Sequence, residues 1–122
     1  MTDKQAAKFC QWCQDTLGLS DWSVELCLQD DPPSWTSASD GQVGACGRNR
    51  PYKTATIWVS RARCTADGSC PLSTIAHEMM HVAASDTGIE GDDSGSEAYE
   101  FLWNKVGDLL AAAYKAKARL PA

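Results

Sequence analysis

The segment Ser73 to Ser85, STIAHEMMHVAAS, holds both histidines of this chain, four positions apart, with a glutamate directly after the first. On an α-helix residues i and i+4 stand one above the other, so His77 and His81 present their rings on one face. Glu78 is rotated about 100° from His77 and about 60° from His81 and leans over the edge of that face. Ile75, Met79 and Val82 point the other way. A helix sorted like this restricts the fold around it. Its apolar side must pack against other elements, while its polar side has to open on a cleft, because two imidazoles and a carboxylate buried without partners are costly.

The chemistry suggested by the polar face is metal binding. Zinc accepts imidazole nitrogen at ~2.0–2.1 Å, and catalytic zinc sites combine three protein ligands with an open position for water. In that arrangement Glu78 is the candidate general base. Two surface histidines on an amphipathic helix are the competing reading. A chance HExxH in a chain this short is expected in about one sequence in a few hundred. Here the motif uses every histidine and is phased correctly against the apolar side, which favours the metal. With no third histidine, the third ligand has to be a carboxylate. The stretch SGSEAYEFLW supplies Glu97 and Glu100 at the start of a following helix, after a glycine-rich turn. Asp86, Glu90, Asp92 and Asp93 in the connection are further carboxylates, and Asp86 or Asp92 could orient a ligand histidine.

The remaining elements follow from periodicity. Thr2 and Gln5 form a capping box, and Ala6, Phe9, Cys10, Cys13 and Leu17 recur at helical spacing up to Gly18. DWSVELCLQD alternates Trp22, Val24, Leu26 and Leu28 with polar neighbours, as a half-buried strand does. GQVGACGRNR and TATIWVSR read as two further strands in a hairpin across Pro51 and Tyr52. ARCTADGSCP reads as a loop, a helix runs from about Leu72 to Ser85, and a last helix runs from about Ser94 to Ala118. The order α, β, β, β, α, α, with no repeat and no linker, predicts one α+β domain over residues 1–122.

A net charge of -5 argues against a nucleic-acid partner, because binding to phosphates is driven by lysine and arginine. The longest apolar run, LLAAA, is far short of the ~20 residues that span a bilayer, and the polar start shows no leader, so a cytoplasmic monomer without membrane attachment is expected. The cysteines, Cys10, Cys13, Cys27, Cys46, Cys64 and Cys70, fit free thiols in that compartment, with Cys27 and Cys46 as small buried hydrophobes on strands. A second zinc on Cys10, Cys13, Cys64 and Cys70 is weakly signalled, since only one CxxC pair is present.

HEMMH followed by SEAYEFL resembles the gluzincin class of zinc metallopeptidases, specifically its small single-domain members, the minigluzincin-like proteins and the small metallopeptidases often encoded by phages. The specific residues of that resemblance lie between about Ser73 and Trp103. It implies a zincin-like fold with an N-terminal helix, a three-stranded mainly antiparallel sheet, the HExxH helix and a C-terminal glutamate helix. It implies Zn2+ held by His77, His81 and Glu97, Glu78 as catalytic base, and a peptide or protein substrate. One departure concerns the acidic partner that thermolysin-like members place four residues after the ligand glutamate. Phe101 stands four after Glu97, and Asn104 stands four after Glu100, which keeps Glu100 as the alternative.

Peptide-bond hydrolysis is thus the expected function, with Tyr52, Tyr99 and Arg48 as candidate oxyanion donors and either hairpin strand, TATIWVSR ahead of GQVGACGRNR, as the substrate-binding sheet edge. A non-catalytic zinc-containing peptide-binding or regulatory module, and hydrolysis of a non-peptide amide, are the alternatives. Glu78 favours an enzyme, since a binding site has no use for a base.

Overall fold

The computed structural model describes residues 1–36, 38, 41–88 and 97–119. Helix α1, Asp3–Thr16, begins at the expected capping box, with Gln5 N donating to Thr2 Oγ1 at 3.1 Å and Thr2 N to Gln5 Oε1 at 2.8 Å. Its Ala6, Phe9, Cys10 and Cys13 are buried. Strands β1 (Ser23–Leu28), β2 (Gly44–Asn49) and β3 (Thr54–Val59) form a three-stranded sheet in the order β1-β3-β2. Val24, Leu26 and Leu28 of β1 lie against the core, as the alternation requires.

The expectation of a mainly antiparallel sheet is corrected. β2 and β3 pair antiparallel, from Gly44 opposite Val59 to Asn49 opposite Thr54, but β1 and β3 pair parallel, from Ser23 beside Thr54 to Leu28 beside Val59. After β1 the chain crosses to the far edge before the hairpin brings it back, so β3 lies in the centre. A period of two fixes which face a residue occupies and is silent about neighbour and direction. TATIWVSR therefore cannot be the free edge, because both sides of β3 are hydrogen-bonded; β2 and β1 are the edges.

The segment read as a loop after β3 contains a short helix, α2, Arg61–Asp67. Ser60 caps it by accepting from Arg63 N at 3.1 Å, and Gly68 ends it at φ 73. Helix α3, Pro71–Thr87, starts with proline in its first turn and stops at Gly88, φ 72. Both stops use the left-handed conformation that glycine adopts without penalty. Helix α4, Glu97–Ala118, packs along α3.

The core lies between the sheet and the helices, with α3 touching α1, α4, β2 and β3. Ile75, Met79 and Val82 of α3 are fully buried, as are Phe9, Ile57 and Val59. Each such side chain contributes ~1.5–3 kcal/mol of burial free energy. None of the six cysteines is in a disulfide, and Cys10, Cys13 and Cys64 are buried. Cys27 and Cys46 are only half-buried: Cys46 packs against the core opposite Ile57 but on the edge strand β2, and Cys27, beside Trp58 on the edge strand β1, lies on the other face of the sheet. No helix among the described residues is long and apolar enough to cross a membrane.

Candidate metal centre

Helix α3 carries His77 and Glu78, both more than nine-tenths buried, and the half-buried His81. His77, Glu78 and His81 place one ligand atom each within 4.8 Å of one another, a geometry able to hold a metal ion. The two imidazoles stack edge-on with ring centres 5.1 Å apart. Among the described residues no second such group is found, so the four-cysteine zinc site has no geometric support.

Helix α4 brings a carboxylate to both rings. One oxygen of Glu100 lies 3.1 Å from His77 Nε2, and the other lies 3.0 Å from His81 Nε2. Glu78 Oε2 stands farther off, 3.9 Å from His77 Nε2. Glu97 opens α4, and its side chain lies outside the described residues, as do Glu90, Asp92 and Asp93. Asp86 is engaged elsewhere: it accepts from Trp22 Nε1 at 2.9 Å and lies 3.9 Å from Lys53 Nζ.

Two glycines allow these elements to approach. A Cβ on Gly107 of α4 would stand 2.8 Å from the Ser73 carbonyl oxygen and 3.1 Å from His77 N, so α4 crosses α3 in near backbone contact. A Cβ on Gly44 of β2 would stand 2.7 Å from Thr74 Cγ2, 2.9 Å from Trp58 O and 3.5 Å from Glu78 Oε2. Sequence periodicity does not single out either position for this role. A glycine inside a pattern with no break, as Gly107 is between Val106 and Leu109, is the signal that was available.

Burial lowers the pKa of the His77 imidazole, and the His81 ring acts the same way, against the charge of Glu100 and hydrogen bonding of the ring to Glu100 and Asn104. The downward direction keeps the ring neutral, the form in which its nitrogen lone pair is available. His77 Nδ1 is buried and has no hydrogen-bond partner among the described residues.

His77, Glu78, His81 and Glu100 line a cleft of about 640 Å³ with Gly44 and Asn104. Tyr52, Tyr99 and Arg48, the expected oxyanion donors, do not line it. Tyr52 is 80% exposed, Tyr99 stacks on Trp103 with ring centres 5.7 Å apart, and Arg48 borders a separate cavity beside Trp35. Asn104, whose side chain bonds His77, is a polar group of the cleft that the sequence pattern did not mark as a donor. Comparison with protein-family models, with curated proteins and with solved structures finds no match to this chain.

Proposed function

We propose that this protein is a zinc-dependent hydrolase of peptide bonds, with His77, His81 and Glu100 holding the metal and Glu78 acting as base. The observation that carries this reading is the position of Glu100, whose two oxygens each lie within about 3 Å of a histidine Nε2 while Glu78 stands off at 3.9 Å. Two imidazoles and a carboxylate converging from two helices form a donor set found in catalytic zinc sites. The resemblance of HEMMH and SEAYEFL to the gluzincins supports the same reading and favours Glu97 in the third position. The Glu100 geometry, together with Asn104 four residues on, favours the alternative.

Zinc in such a set would lower the pKa of a bound water to ~7 and polarise a carbonyl. The residues of the chain do the rest. Glu78 accepts the proton of the attacking water as the new C–O bond forms, and delivers it to the amine nitrogen as the C–N bond breaks. Its burial at 7% exposure keeps the carboxylate in place and limits competition from bulk water. Asn104 lines the cleft beside His77 and bears on the charge of its ring.

The test is metal analysis of protein purified without added zinc, followed by digestion of a peptide library. About one zinc per chain and cleavage are expected, with cleavage reduced about 10²–10⁴-fold in Glu78→Gln at unchanged metal content. Absence of zinc, or wild-type cleavage by the Glu78→Gln protein, would refute the reading.

A further inference from the structure

The catalytic assignment leaves much of the cleft without a role. From His77 the cleft extends past Thr74 to the turn between α2 and α3 and to the segment just before β2. Pockets that take aliphatic or aromatic groups are lined mainly by such side chains. Among the described residues Val43 is the only branched aliphatic one lining it, and no phenylalanine, tyrosine or tryptophan does. The bulky apolar groups are committed elsewhere: Trp58, Ile75 and Met79 are fully buried in the core, and Trp35 lies over Gly47 beside another cavity.

What the lining does carry is charge of one sign. Asp67 at the end of α2 and Asp108 on α4 join Glu78 and Glu100, and among the described residues no lysine or arginine lines the cleft. Among the described residues Arg63 and Lys115 contact residues of the lining, and each is engaged. Arg63 donates to the Gln42 carbonyl at 3.0 Å, and Lys115 Nζ lies 3.3 Å from Cys70 Sγ. A divalent ion held at the histidines would offset the charges of Glu78 and Glu100. The exposed carboxylates of Asp67 and Asp108 then set the sign of the cleft.

Resting on the hydrolase reading, we infer that the cleft selects a peptide carrying a cationic side chain, lysine or arginine, near the cleaved bond, attracted by Asp67 and Asp108, and disfavours a large apolar residue there. Exposed charge pairs are individually weak, so the two acids together give a preference of about tenfold over an uncharged side chain of equal length. A preference of this origin shrinks as added salt shortens the Debye length.

The experiment compares zinc-loaded protein on peptides that differ only in lysine, norleucine or glutamate at each position around the cleaved bond, at low and high salt. At one position kcat/KM should rank lysine above norleucine above glutamate, with the gap narrowing at high salt. The Asp67→Asn, Asp108→Asn double variant should lose the lysine-over-norleucine ratio. Equal rates for lysine and norleucine at every position, or an unchanged ratio in the double variant, would overturn the inference while leaving the hydrolase reading intact. If no peptide is cleaved, the hydrolase reading fails. Calorimetric binding of the same peptides to the zinc-loaded Glu78→Gln protein then decides this one, and lysine binding no tighter than norleucine overturns it.

Discussion

Gly107→Ala tests whether the approach of α4 to α3 builds the proposed metal site. The added Cβ meets the Ser73 carbonyl oxygen at 2.8 Å, His77 N at 3.1 Å and His77 Cα at 3.4 Å, all backbone atoms of α3 that cannot rotate aside. Restoring ordinary contact requires the two helices to part by about 0.5 Å. Overpacking of this kind costs ~1–3 kcal/mol, and alanine returns up to ~1 kcal/mol of helix propensity. The metal-free protein should therefore lose between nothing and ~2 kcal/mol of stability. Metal affinity should suffer more. Glu100 lies seven residues along α4 from Gly107, about 10 Å along the axis, and metal–ligand distances tolerate only about 0.2 Å. A loss of about 10–100-fold in zinc affinity is expected, on the scale of disturbed supporting contacts. Chelator competition gives the affinity, and urea unfolding of the metal-free protein gives the stability. Wild-type affinity together with raised stability would show that propensity alone matters at this position and that the helices do not meet there.

Glu100→Ala should weaken zinc binding far more than Glu97→Ala in the same competition assay, and the reverse order would return the third ligand to Glu97. Gly44→Ala should destabilise the fold by ~1–3 kcal/mol in urea, because its Cβ meets Thr74 Cγ2 and the Trp58 carbonyl; an unchanged midpoint would contradict the close packing of β2 on α3. Brief iodoacetamide treatment near neutral pH, read by mass spectrometry, should label Cys70 before Cys10. Burial raises the Cys70 pKa, but the backbone N–H groups of Ser73 and Leu72 and the Lys115 ammonium outweigh it and hold the thiol below its ordinary value. Burial pushes the Cys10 thiol up to about 11, so it stays protonated and unreactive. Labelling of Cys10 first would contradict that ordering.

Elements whose signal is a repeated apolar face were legible in the sequence. The capping box of α1, the alternation of β1, and the sorting of α3 into Ile75, Met79 and Val82 against His77 and His81 each combine a local rule with a burial rule. The illegible features depend on how elements meet. Helix α2 is short and has no apolar stripe, so its only sequence signal lay in its caps, Ser60 and Gly68. The parallel pairing of β1 with β3 follows from a crossing of the chain that no alternation encodes. The oxyanion donors were expected among residues of suitable type near the motif, but Tyr52 sits on the hairpin turn and Arg48 borders a different cavity.

The choice between Glu97 and Glu100 shows how far residue patterns reach. Both stand in the first turn of α4, three positions apart, and spacing from the HExxH motif distinguishes them weakly. The residue one turn beyond each glutamate is the more informative signal. A residue four after the ligand glutamate lies above it on the same face and can touch the same histidine. After Glu97 that residue is Phe101, which is 76% exposed and has no polar atom to offer. After Glu100 it is Asn104, whose side chain bonds His77. The rotation that brings Glu100 to the histidines thus also brings Asn104 to His77 and sets Gly107, on the next turn, against Ser73. Three residues at spacings of four and three make one consistent face, which sets Glu100, Asn104 and Gly107 against α3 together.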